Sequence, residues 1–196
     1  MRKIVKLVFV MFIVILVSAC AGRNFVKPNP ETLSVGKTTY EEIISRFGKP
    51  YREGSVLKND NQLKTLTYTY ASGGSSLFGG VTPARALGFY FLKDILVGHE
   101  FTSSYTDDNT YFEDSKIDQI KKGTTTRSQV IQIIGNDYGK YIYPLIKEKD
   151  EKALVYLYSQ TKGSSFNLKF YQKLLIVSFD KTNIVTDINF TSSGQK

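Results

Sequence analysis

The sequence predicts an α+β protein in which one unit, a short helix followed by an antiparallel β-meander, is made twice. Three observations carry this. The stretch Gly36-Lys37-Thr38-Thr39-Tyr40-Glu41-Glu42-Ile43-Ile44-Ser45-Arg46-Phe47-Gly48 recurs without a gap as Gly123 to Gly135, an offset of 87 throughout, with both glycines, both threonines and one isoleucine (Ile44, Ile131) identical. Each copy carries helix-end signals. Each is followed by runs that alternate in hydrophobicity as strands do.

The first element is a leader. Arg2, Lys3 and Lys6 precede an unbroken apolar run from Leu7 to Val17, too short for a membrane span, which needs roughly 20 apolar residues. The run ends in Leu16-Val17-Ser18-Ala19-Cys20, which resembles the lipobox of bacterial lipoproteins. A thiol must be there to take the diacylglyceryl group, and small residues must precede it for the peptidase to reach the backbone. Residues 1–19 are therefore expected to be removed between Ala19 and Cys20, leaving a lipidated Cys20. Ala21 in place of Asp favours sorting to the outer membrane, facing the periplasm. Cys20 is the single cysteine, so the mature chain is expected to hold no disulfide, thiol nucleophile or thiolate metal site. Cleavage takes three of the 26 basic residues and none of the 18 acidic ones, leaving a net charge of +5. That excess suits anionic headgroups. Scattered among acids, it makes no nucleic-acid stripe.

Residues 20–32, with Pro28 and Pro30, read as an extended tether. Two units follow, 33–106 and 107–196. In each helix Thr39 or Thr126 caps the first turn and Glu42 or Gln129 closes a capping box. Tyr40, Ile43, Ile44 and Phe47 share one face. Gly48 and Gly135 stop the helices, and Pro50 seals the first stop. A further helix is expected at Phe112 to Lys121, and less clearly around Pro30 to Ser34. Strands are expected at 64–71, 86–92 and 95–103, then at 153–160, 173–180 and 184–191. Val155 and Leu157 flank Leu154, Tyr156 and Tyr158, so that strand is apolar on both faces and belongs inside the sheet or under the other unit. The result is one or two short helices on a three- to four-stranded meander, twice.

The Gly-Lys-Thr-Thr-x-x-Glu-x-Ile-x-x-Phe-Gly-Lys-Pro pattern at 36–50, the Tyr-x-Tyr strand at 68–70 and the Phe-Leu-Lys-Asp turn at 91–94 resemble the SmpA/OmlA (BamE-like) domain. The resemblance covers most of residues 33 to 193. It implies a small outer-membrane lipoprotein of the β-barrel assembly machinery, and a fold shared with the two-copy β-lactamase inhibitor protein. BamE itself is a single unit, and no partner- or phospholipid-binding position of BamE carries over to a residue here. The reading is a non-enzymatic binding module for envelope proteins, anchored to the membrane by lipid. The alternatives are an inhibitor or sequestering protein, or a structural envelope lipoprotein.

No cofactor other than the covalent lipid on Cys20 is expected, and no metal. Gly36-Lys37-Thr38-Thr39 looks like the end of a phosphate loop, but Glu31 stands where the first glycine would be. His99 is the single histidine, placed mid-strand without a nucleophile at a telling distance. Asp107, Asp108, Glu113 and Asp114 read as a solvated linker face, lacking the glycine and distal glutamate of a calcium loop. The candidate partner contacts are Leu77 and Phe78 in the glycine- and serine-rich 72–80 connection, and Tyr138, Tyr141 and Tyr143 after the second helix.

Overall fold

The computed structural model describes residues 22–72, 80–164 and 167–195. The expected cleavage between Ala19 and Cys20, the lipidation of Cys20 and the contacts at Leu77 and Phe78 lie outside them.

Helix α1 (Tyr40–Phe47) begins where the sequence places it. The Thr39 hydroxyl accepts from the Glu42 amide and the Glu42 carboxylate accepts from the Thr39 amide. Helix α2 (Arg127–Ile134) repeats the box with Thr126 and Gln129. Both stop at a glycine of positive φ (Gly48, 74°; Gly135, 127°) whose N–H returns to the carbonyl of Ile44 or Ile131. A side chain would be strained there. The expected helix at Phe112 to Lys121 is a 3₁₀ segment, Asp114–Gln119, and the earlier one shrinks to Pro30–Thr32.

The strands are β1 (Arg52–Lys58), β2 (Asn61–Ala71), β3 (Val81–Thr82), β4 (Ala84–Leu92), β5 (Ile95–Ser103), β6 (Gly139–Ile142), β7 (Lys152–Ser164), β8 (Asn167–Phe179) and β9 (Val185–Gly194). They form one antiparallel sheet in the order β1-β2-β4-β5-β6-β7-β8-β9, with β3 paired to the far end of β7. Each half contributes four strands to that path, within the three to four expected and one more than the three runs read in each half of the sequence. β1 and β6 are the additions. The halves meet edge to edge where Gly98 and His99 of β5 pair with Tyr141 and Lys140 of β6. Gly139 makes this possible, because a Cβ there would stand 2.0 Å from the His99 carbonyl oxygen.

Helices and 3₁₀ segments cover one face of the sheet. Helix α1 buries Ile43 against Leu66, Tyr68, Leu87, Phe89, Phe91 and Leu96. Helix α2 buries Val130 against Leu154, Tyr156, Leu175, Val177 and Phe179. On the opposite face, at the junction, Tyr141, Ile146, Ala153 and Val155 form a third cluster with Tyr90, Leu145, Leu174 and Ile176. This is why β7 is apolar on both sides.

The two halves agree in their hydrogen bonds. The Tyr68 hydroxyl donates to the Gly48 carbonyl at 2.8 Å, and the Tyr156 hydroxyl to the Gly135 carbonyl at 3.1 Å. Thr39 bridges Ile95, and Thr126 bridges Ile184. Residues 22–32 differ from the expected free tether, because they are packed. Gly22 bridges Tyr70, and Phe25 meets Phe101 edge-on with ring centroids 6.4 Å apart. Lys27 pairs with Asp137, and Pro28 is buried.

Candidate interaction surface

Side chains alternate across a strand, so the face away from the helices follows from the register. It presents Thr65 and Thr67 of β2, Ala86, Gly88 and Tyr90 of β4, Glu100 and Thr102 of β5, and Leu157 of β7, around a shallow cavity of about 290 Å³. Gly88 opens its floor, since a Cβ there would come within 3.4 Å of Glu100. The Glu100 carboxylate accepts from the Tyr90 hydroxyl at 2.8 Å and from the Tyr141 hydroxyl. Burial, then the neighbouring Glu100 charge, pushes both phenols well above the usual tyrosine range. The two tyrosines therefore stay protonated and hold the carboxylate in place.

On the same face, beside the junction, lies the segment Tyr143 to Ile146, which enters through a cis Tyr143–Pro144 bond. It packs on bare backbone. A Cβ at Gly98 would stand 2.2 Å from the Leu145 side chain. The Asn59 amide donates to the carbonyls of Pro144 and Ile146, both at 3.0 Å, and the Asn61 amide donates to the Tyr143 hydroxyl at 3.0 Å. The first turn of one half thus pins the segment supplied by the other.

The three tyrosines singled out from the sequence separate here. Tyr141 is 6% exposed and its hydroxyl is spent on Glu100, so it builds the surface from beneath and offers no face to a partner. Tyr143 is half-buried in that segment. Tyr138 is half-buried on the helix side, against Tyr156 (6.1 Å between ring centroids), with its hydroxyl donating to Glu31 at 3.0 Å.

On the helix side the junction leaves a second recess of about 370 Å³, bordered by Glu31, Lys37, Arg127, Lys140 and Lys152. Lys140 pairs with Glu31 at 3.1 Å and, with the Tyr138 hydroxyl, holds that carboxyl below its ordinary range. A third recess, of about 620 Å³, lies between residues 23–29 and the α1–β1 connection.

His99 is 2% exposed on the helix-covered face. Burial lowers its pKa to about 3, and the Lys140 charge lowers it further than Glu31 restores it. It is neutral and sealed, which suits packing and not proton transfer to a solvent-borne substrate. The acidic stretch divides: Asp107 and Glu113 are exposed, as expected of a solvated face, whereas Asp108 and Asp114 are held by buried cations. Asp108 is 14% exposed and lies 3.4 Å from Arg85, and it accepts from the Ser103 hydroxyl at 2.5 Å. Asp114 accepts from Lys173 at 2.7 Å. No group of three or more metal-binding side chains occurs among the described residues.

Arg85 and Lys173 are the residues that reasoning on the sequence missed. They occupy equivalent inward positions, since Tyr68 pairs with Leu87 and Tyr156 with Leu175. Arg85 donates to the Phe25 carbonyl and lies over Tyr105 at 4.4 Å. Lys173, fully buried, donates to the Phe112 carbonyl and lies 3.8 Å from the Tyr111 ring centre. The signal was present: Arg85-x-Leu87-x-Phe89 and Lys173-x-Leu175-x-Val177 place a cation in phase with the core.

The structure is thus an antiparallel sheet backed by helices on one face, with the other face free of helices and the lone histidine buried on the covered side. Residues 109–189 match the family described as the outer membrane protein assembly factor BamE domain, so this stretch is a BamE/SmpA-like domain. It takes in α2, β6 to β8 and half of β9. Among solved structures, a proposed β-lactamase inhibitor protein from Streptococcus mutans aligns at 14% identity over 79% of this chain and 82% of its own, with a TM-score of 0.39. At that score the likeness carries no argument. No curated protein matches the chain significantly.

Proposed function

We propose that this protein is a non-enzymatic accessory factor of outer-membrane β-barrel protein assembly, held at the membrane by acyl chains on Cys20. The observation that carries the reading is the BamE-domain match at 109–189. The lipobox-like Leu16 to Cys20 segment supports the anchor, and several acyl chains together give stable attachment. No helix among the described residues is long and apolar enough to cross a membrane.

In this reading the first half is a second copy of the same unit. The matched capping boxes support it, as do the Tyr68 and Tyr156 bonds to equivalent glycine carbonyls and the Arg85 and Lys173 bonds to Phe25 and Phe112. The protein presents the helix-free sheet face, beside the Tyr143 to Ile146 segment, to envelope proteins; Tyr138 would add a separate contact on the helix side, and Leu77 and Phe78 remain candidate contacts.

In-cell crosslinking of the full-length protein, followed by mass spectrometry of captured partners, tests this, with Cys20→Ala as the control. Capture of β-barrel assembly subunits that is lost in Cys20→Ala is the expected result. Reproducible capture of some other envelope protein, with no assembly subunit, overturns it and leaves a separate binding module on the same scaffold.

A further inference from the structure

The distance between the anchor and the folded body is set by covalent geometry. Gly22 already belongs to the fold: it bridges Tyr70, and a Cβ on it would stand 2.1 Å from the Thr69 carbonyl oxygen. Cys20 lies two residues earlier. Two residues span at most about 7 Å, much less than the width of a small domain. A lipid on Cys20 would therefore act as a strap at one point of the body and leave it no freedom to stand off the bilayer.

The surface beside that point has the chemistry of a membrane-facing one. The recess flanking residues 23–29 is bordered by Arg23, Lys27, Arg46 and Lys49 with no carboxylate among its lining residues. Lys27 is spent on Asp137, and Arg46 donates to the Thr32 hydroxyl. Arg23 and Lys49 make no ion pair among the described residues. Val26 and Tyr51, at the same recess, are 85% and 63% exposed. An apolar side chain and a tyrosine beside basic residues suit the headgroup region, where aromatic rings settle and cations meet anionic lipid.

We infer that this face, carrying Arg23, Val26, Lys49 and Tyr51, rests on the anionic headgroup layer of the bilayer and fixes the orientation of the whole sheet. The inference rests on the anchoring reading above. The sheet then stands with the Gly22 end of β2 toward the membrane and the turns at Asn59-Asp60 and Lys93-Asp94 away from it.

The chain has no tryptophan, so Tyr51→Trp and Leu57→Trp each create a single reporter. The two positions are six residues apart along one edge, roughly 20 Å in a strand, and Leu57 is itself 68% exposed. Each full-length variant is matured in cells, its N-terminal peptide is weighed for lipid, and the protein is placed in vesicles of phosphatidylcholine and phosphatidylglycerol brominated near the headgroups. Quenching of the Tyr51→Trp reporter with little quenching of the Leu57→Trp reporter is the expected result, weakening when phosphatidylcholine is used alone. A lipidated protein in which neither reporter, or chiefly the Leu57→Trp one, is quenched overturns the orientation and leaves the anchor standing. A peptide without lipid overturns the anchor and the orientation with it.

Discussion

Replacing Lys173 tests the account of the second core most directly. Its side chain has no exposure, its ammonium donates to the Phe112 carbonyl and to Asp114 at 2.7 Å, and it lies 3.8 and 4.2 Å from the ring centres of Tyr111 and Phe112. In Lys173→Ala three buried methylenes are lost, worth roughly 2.4 kcal/mol at about 0.8 each. The orphaned Phe112 carbonyl adds about 1–3 kcal/mol. In Lys173→Met most of the apolar stem remains, so the loss falls to the polar part, about 1–3 kcal/mol. Asp114 adds little in either variant, because its side chain is 39% exposed and takes up water once the lysine is gone. The expected order of stability is therefore native, then Lys173→Met, then Lys173→Ala, with the last about 3–5 kcal/mol below the first. Urea denaturation followed by far-UV circular dichroism reads all three. If Lys173→Met is as stable as the native protein, the buried cation contributes nothing that packing alone does not, and the reasoning fails.

Three further outcomes follow from the same structure. His99 titrates near 6.5 when unfolded and at about 3 when folded. The unfolded chain therefore binds more protons between those values, and stability falls as pH drops from 6.5 toward 3 at up to about 1.4 kcal/mol per unit. Stability measured against pH in native protein and His99→Leu should differ by that slope, and parallel curves would refute it. Thr39→Ala and Thr126→Ala each remove a capping hydroxyl and should cost about 1 kcal/mol, adding to about 2 in the double variant because the caps share no partner. Gly139→Ala forces a Cβ to within 2.0 Å of the His99 carbonyl, whereas Gly123→Ala meets no atom within 4 Å and suffers only its positive φ. The first should cost more than about 3 kcal/mol and the second about 1, a ranking that thermal melts decide.

The helices were legible because their information is local. Thr39 with Glu42, and Thr126 with Gln129, fix each start within four residues, and the glycine offset of 87 announces each end. β2, β4, β5 and the core of β7 were legible through alternation and apolar density. β1 was not, since Arg52-Glu53-Gly54-Ser55 is exposed at the sheet edge and has no inner face to write a pattern. β6 was not either. Four residues carry too little periodicity, and Gly139 is needed for a contact some 40 residues away. The packed course of residues 22–32 was hidden for a related reason. Pro28, Pro30 and few apolar residues look like a tether, but Phe25 and Leu33 are enough to bind the segment when a formed core awaits them. For the candidate surface, Tyr141 shows the limit. A tyrosine count gives contact potential, yet only the β5–β6 register decides that this one points at Glu100.

The pairing of β5 with β6 has the last strand of one unit receive the first strand of the next. On the two-copy reading such a junction is heterologous: the acceptor edge at β9 and the donor edge at β1 stay open after it forms. Geometry alone would let a second molecule's β1 join β9, then a third, and grow a filament without a closing step. The composition of the two rims opposes this. β1 carries Arg52, Glu53 and Lys58, and β9 ends in Thr191, Ser192 and Ser193, all exposed. On that reading, exposed charges on one rim and hydroxyls on the other weaken the pairing of a second molecule at the outer strands, whereas no residue paired at the β5–β6 junction is exposed.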